Sequence, residues 1–203
     1  MLNHPFLSKL VLATHNRDKV VELRESMHGL PIEILSLDHF SDAPEAEEDG
    51  DTLEANAVKK ALIIHAHTHL PAVADDTGLM VDALNGAPGV YSSRYAGPQA
   101  TYADNVQKLL RALKDVPAIQ RTAEFRTVMA LALSGKTYLV EGKCRGRITL
   151  APQGSNGFGY DPVFFVPELN KTFAELTLAE KNQISHRGKA AAAFNALLVK
   201  LML

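Results

Sequence analysis

The sequence predicts an α/β protein with a mixed sheet rather than a purely parallel one. Three observations predict it. Short apolar runs alternate with amphipathic stretches through the first half, two β-prone runs flank a three-residue turn, and the C-terminal third returns to helical spacing. The chain has 203 residues, 46% hydrophobic and 22% charged, which suits one domain over 1–203, or two lobes sharing a sheet. That composition excludes collagen-like, low-complexity and disordered classes. Lysine and arginine number 21 against 23 acids, a formal charge of −2, so no global basic field exists to hold duplex nucleic acid. An anionic ligand must be gripped by local clusters.

Each element follows in order. Leu10–Ala13 reads as a short buried strand, and Asn16 caps a helix to about Met27 with Val20, Leu23 and Met27 inward. Ile32–Leu37 is a second strand. The acidic stretch Glu45–Asp51 has no hydrophobic period and reads as loop. Asp51 with Glu54 resembles a capping box, opening a helix whose stripe is Leu53, Ala57, Ala61 and Ile64. Ala72–Asp76 is a strand ending in two carboxylates. Asn85–Pro98, rich in Gly and Pro, is a structured loop, and Tyr102–Leu113 is an amphipathic helix. Thr122–Leu133 and Thr137–Leu150 form an antiparallel hairpin about Ser134-Gly135-Lys136. Gly154–Asp161 is a second glycine-rich loop. Thr177 and Glu180 make a capping box for one terminal helix carrying Ile184, Ala191, Phe194 and Leu198.

Membrane and export readings fail. The first apolar stretch is too short, Pro5 and Lys9 break a signal-peptide core, and the run Ala190–Leu203 falls short of the roughly 20 residues a span needs. The single cysteine, Cys144, forms no internal disulfide, which suits a reducing cytosol. The expectation is a soluble cytoplasmic chain.

Several groups of residues have chemical potential. Thr14 to Lys19 sit where a strand, a tight loop and a helix start leave backbone N–H groups for a phosphate, with Lys19 as a point charge. An ordinary capped helix with a solvated lysine is the plainer reading. Asp75 and Asp76 are neighbours on a strand and face opposite sides, so one faces a cleft while backbone or a helix pins the other. A turn capped by Asp remains the alternative. The acidic stretch is a solvated loop unless one of its carboxylates completes a Mg²⁺ shell, toward which Asn56 and Lys60 also reach. Gly154–Pro162 packs glycines around Phe158 and Tyr160, letting backbone approach a base while a ring stacks on it. Lys181, Ser185, His186 and Arg187 concentrate donors, although one continuous helix would set Lys181 and Arg187 about 240° apart. His65, His67 and His69 lack the further ligands zinc needs and read as exposed; Cys144 reads as structural.

Read together, the motifs resemble one family. They are Thr14-x-Asn16-x-x-Lys19, Glu47-Glu48, Asn56-Ala57-x-x-Lys60-Ala61, Ala74-Asp75-Asp76-Thr77-Gly78-Leu79, the loop Gly86–Gly97, Gly157–Pro162, and Glu180-Lys181 followed by His186-Arg187-Gly188. In this order, from Leu10 to Leu198, they resemble the inosine triphosphate pyrophosphatases, or XTP/dITP diphosphatases. The resemblance implies a long mixed twisted sheet flanked by helices, in a homodimer of two-lobed α/β subunits with an active-site cleft between the lobes. It also implies Mg²⁺-dependent hydrolysis of ITP, dITP and XTP to monophosphate and pyrophosphate. By position, Thr14, His15, Asn16, Arg17, Asp18 and Lys19 would hold phosphates, assisted by Lys60. Asp76 would bind metal and act as base, with Thr77 against the substrate; Glu47 would be the second metal ligand, with Glu48 the fallback. Phe158, Gly159, Tyr160, Asp161, Lys181, His186 and Arg187 would enclose the nucleoside and read its 6-oxo edge. His15 stands where the family usually has Gly, and Thr77 where Ser is commoner. The competing classes are a nucleotide sensor without turnover and a single-strand binder stacking bases on Phe158 and Tyr160, which the missing basic surface disfavours.

Overall fold

In the computed structural model, which describes residues 7–203, eight strands pair into one mixed sheet. The strands are β1 (Lys9–Leu12), β2 (Glu33–Ser36), β3 (Ala72–Val81), β4 (Pro88–Gly89), β5 (Thr122–Leu133), β6 (Lys136–Ile148), β7 (Phe164–Val166) and β8 (Lys171–Thr172). The helices are α1 (Arg17–Ser26), α2 (Leu53–Thr68), α3 (Tyr102–Ala112), α4 (Leu178–Ile184) and α5 (His186–Met202). The sheet order is β2-β1-β3-β5-β6-β7-β8, with β4 also on β3. β1 runs parallel to β2 and β3, whereas β4 is antiparallel to β3 and β7 to β6 and β8. Pro5 lies outside the described residues, and among those described no helix is long and apolar enough to cross a membrane.

Local chemistry accounts for most boundaries. Asn16 caps α1 by accepting from the N–H groups of Asp18 and Lys19. Thr101 and Asp104 form a reciprocal capping box that fixes the start of α3. Ser134 and Gly135 both take positive φ, 49° and 75°, which is what a tight hairpin turn between β5 and β6 demands. Three expectations need correction. The cap of α2 is Thr52, not Asp51: its hydroxyl accepts from Ala55 N–H. β3 does not end at Asp76 but runs on to Val81, placing both acids in mid-strand. The single terminal helix is two helices. Ser185 adopts φ −68° and ψ 160°, extended backbone that ends α4 and lets α5 restart in a new phase.

The chain divides into two compact units. The first holds the described residues up to Asp76, Thr127–Gly142 and Gly188–Leu203; the second holds Thr77–Arg126 and Lys143–Arg187. Each has its own core. In the first, Leu10 and Leu12 of β1, Leu23 of α1, Met129 and Leu131 of β5, and Phe194 and Leu198 of α5 pack together. In the second, Leu79, Leu109, Phe125, Phe164 and Phe173 do so, with Cys144 buried among them. Burying one such side chain stabilises the fold by roughly 1.5–3 kcal/mol.

Candidate active site

Two clusters of functional side chains emerge, one in each unit. In the first unit the alternation of β3 separates Asp75 from Asp76. The Asp75 side chain has no exposed surface and pairs with Lys19 of α1, Nζ to Oδ2 at 3.1 Å. Asp76 pairs instead with Lys60 of α2, Nζ to Oδ1 at 3.0 Å, while Asn56 Nδ2 donates to Asp76 Oδ2 at 3.2 Å. Lys60 Nζ donates further to Glu48 Oε1 at 2.7 Å and to the Asp75 carbonyl at 2.8 Å. One ammonium therefore sits among three oxygens.

The acidic loop reaches this point because α2 ties it down residue by residue. Asn56 Oδ1 accepts from Gly50 N–H at 2.8 Å, Lys59 pairs with Asp49 at 2.7 Å, and Lys60 takes Glu48. A Cβ on Gly50 would lie 2.7 Å from Asn56 Oδ1, so the approach requires glycine. Glu47 is exposed, whereas Glu48 is half-buried at the cluster.

Burial pushes the Asp76 carboxyl above the usual carboxylate range and Glu48 adds to that push, against the pull of Lys60 and Lys19. For Lys60, burial works downward, but Asp76, Glu48 and Asp75 outweigh it and hold the ammonium above its ordinary value. The two directions differ in which charge they favour. The short contacts decide for the ion pair, with an Asp76 carboxylate more basic than a solvated one.

The hydrogen bonds of the preceding loop are local. Thr14 Oγ1 accepts from Asn16 N–H at 3.2 Å, and Asn16 Oδ1 takes two N–H groups of the first turn of α1. His15, Arg17 and Asp18 are exposed. His15 is not among the described residues with positive φ, so this loop keeps its course without the conformational freedom of glycine.

The second unit gathers donors around one ring. Lys181 Nζ lies 5.0 Å and Arg187 Cζ 5.4 Å from the centre of the half-buried Phe158 ring. Lys181 also pairs with Asp161 at 2.6 Å, both side chains being only 4% exposed. Asp161 Oδ2 in turn accepts from Phe158 N–H at 2.9 Å, and a Cβ on Gly157 would collide with that carboxylate. Gly159, half-buried with φ 62°, completes the turn before Tyr160. Arg187 donates to Thr77 Oγ1 at 3.1 Å. The break at Ser185 gives Arg187 its own helix, removing the 240° offset expected of a continuous one.

Two residues of the second motif make buried contacts within the protein. Tyr160 is buried and donates its hydroxyl to the Ser92 carbonyl at 2.9 Å, and burial pushes its phenol well above the ordinary range. His186, 2% exposed, stacks on Phe125 with ring centres 4.3 Å apart. One neighbour escaped the sequence reading: Tyr102 leans on Phe158 at 5.8 Å. Only its place directly after the capping Thr101 could have flagged it. His65, His67 and His69 stand apart from both clusters. His65 Nδ1 contacts the Leu70 carbonyl, His67 pairs with Asp42, and His69 ends α2 at φ 56°.

Comparison with known proteins gives this geometry a context. A family model described as the Ham1 family matches residues 10–197. A dITP/XTP pyrophosphatase of Geobacter sulfurreducens is 51% identical over 187 residues, covering 92% of this chain and 94% of the relative. Among solved structures, a HAM1 protein from Coxiella burnetii superposes with a TM-score of 0.87 at 44% identity, covering 95% of this chain and 98% of that one. The Staphylococcus aureus Ham1 protein gives 0.85 at 35% identity with the same coverage. The chain belongs to the Ham1 family.

Proposed function

We propose that this chain hydrolyses deaminated purine nucleoside triphosphates (dITP, XTP and ITP) to the monophosphate and pyrophosphate, with Mg²⁺ as cofactor, and so cleanses the nucleotide pool. The name carried by its relatives, dITP/XTP pyrophosphatase, supports the reaction. The observation that carries it here is the buried Asp76 carboxylate, held by Lys60 and Asn56 beside Glu48.

The donor set fits a small hard cation. Glu48 Oε1, Asp76 Oδ1 and the Asp75 carbonyl converge on one positive group, and all are oxygens. Mg²⁺ usually takes one or two carboxylates and completes its shell with water and phosphate oxygens. Asp76 and one of Glu47 and Glu48 would hold it; the 2.7 Å contact of Glu48 with Lys60 at the cluster supports Glu48. When bound, the ion offsets charge on the phosphates being separated.

The chain's own groups do the rest. Asp76, made more basic by burial, accepts a proton from the attacking water. The water oxygen forms its bond to the α-phosphorus as the bond from that phosphorus to the bridging oxygen breaks. Pyrophosphate leaves with the electron pair. Lys19, Lys60 and the start of α1 from Thr14 offset the phosphate charge. Phe158 stacks on the purine, and Lys181 and Arg187 aim donors at the 6-oxo group. Adenine would present a 6-amino donor to those donors and leave them unpaired. We place the enzyme in the cytoplasm as a homodimer, as its resemblance to the family implies.

A product assay across ITP, XTP, GTP and ATP tests the reading. With Mg²⁺, ITP should yield IMP and pyrophosphate, with orthophosphate appearing only after an added pyrophosphatase. Direct orthophosphate release would mean attack at the γ-phosphorus, and binding without turnover would mean a sensor.

A further inference from the structure

Counting charges in the first cluster exposes a competition. Three carboxylates (Glu48, Asp75 and Asp76) face two ammoniums (Lys19 and Lys60), so the group carries one net negative charge. The two carboxylates suited to a divalent ion are the two that Lys60 already neutralises, at 2.7 and 3.0 Å. A metal drawing on those oxygens must weaken or break the Lys60 contacts, since an ammonium and a divalent cation cannot share them without strong repulsion. The displaced ammonium, 12% exposed while paired, loses both carboxylate partners. It needs another anion.

We infer that Lys60 is a tethered counter-ion that makes metal and polyphosphate binding depend on each other. The inference rests on the proposed function, because the incoming anion is the substrate's phosphate chain. Without that anion, Lys60 holds Glu48 and Asp76 and keeps the free protein's metal affinity low. With a divalent ion bound, the cluster changes from one net negative charge to one net positive charge and becomes attractive to a polyphosphate. The phosphate oxygens then receive Lys60 and stabilise its displaced position. By linkage, whatever the anion does for the metal the metal does for the anion. Lys60 is therefore a positioning residue whose effect reaches substrate order, not only charge balance.

The probe is Mn²⁺ alone, titrated into nucleotide-free protein in mildly alkaline buffer and followed by the electron paramagnetic resonance signal of free ion. Lys60→Met removes the competing charge, so Mn²⁺ should bind roughly tenfold or more tightly than to the wild type. Lys60→Arg keeps the charge and should leave affinity low. A merely structural lysine gives the opposite result: its loss loosens the site, and affinity falls or stays unchanged. That outcome, in a folded Lys60→Met protein, overturns the inference.

Should Lys60→Met not fold, the wild type supplies the answer through acylation of Lys60 read by peptide mass spectrometry. Saturating Mn²⁺ should raise the reactivity of Lys60, and further addition of a non-hydrolysable inosine triphosphate analogue should suppress it. Reactivity indifferent to Mn²⁺ overturns the inference. Failure of the underlying reading is distinguishable, since it appears as wild-type protein that does not turn over ITP.

Discussion

The two clusters each bury a lysine–carboxylate pair, yet they are charged in opposite senses. In the first unit Lys60 faces Asp76 and Glu48 together, and the surplus is anionic. In the second, Lys181 and Asp161 neutralise one another at 2.6 Å and Arg187 adds a positive charge beside the Phe158 ring. Those three side chains sum to one positive charge. An anionic surplus suits a metal ion, whereas donors around an aromatic face suit a base with carbonyl edges. The difference teaches that a buried ion pair alone does not declare a role. The unbalanced neighbour does.

This contrast can be broken by mutation. Asp76→Asn keeps the shape of the first cluster but removes the proposed base, and at saturating Mg²⁺ should lower kcat by about a hundred- to ten-thousandfold, far more than it changes KM. Steady-state kinetics with ITP checks it, and near-normal turnover would remove Asp76 from catalysis. Phe158→Ala in the second cluster should do the reverse. Loss of base stacking costs about 1–3 kcal/mol, read as a KM raised about five- to 150-fold with kcat largely kept. If both variants changed kcat and KM alike, the division of labour would fail.

The smallest effect concerns the helix that carries Lys181. Backbone and side-chain hydrogen bonds from Thr177 hold the Glu180 carboxyl below the usual glutamate range. A native value below the unfolded one means that the stabilisation is complete above the unfolded pKa and is lost as pH falls through the native one. Glu180→Gln should therefore melt slightly earlier than wild type at neutral pH, with the gap closing in acid. Parallel melting curves at all pH values would show that the charge contributes nothing.

The sheet, the hairpin and the stripe of α2 were legible because local periodicity dictates them. The opposite facing of Asp75 and Asp76 followed from the two-residue repeat of a strand, and their separate lysines agree with it. The length of β3 was not legible, since Thr77 and Gly78 look like punctuation after two acids. Nor was the break at Ser185. Ile184 and Ala191 keep helical spacing across it, and the interruption is a single extended residue. The turn of Glu48 toward Lys60, with Glu47 left exposed, depends on Gly50, whose contact with Asn56 six residues away leaves no periodic trace.

The unbroken course of β3 through both acids has a consequence for tinkering with this protein. A pleated strand offers only two sides, so deleting one residue ahead of Asp75 would not shift the pair by a small amount but exchange their places. Asp76 would then face the side on which Lys19 of α1 now holds Asp75, and Asp75 would take the other side without the Asn56 contact that Asp76 has. Length changes nearby are tolerable in the loops, never in this ruler.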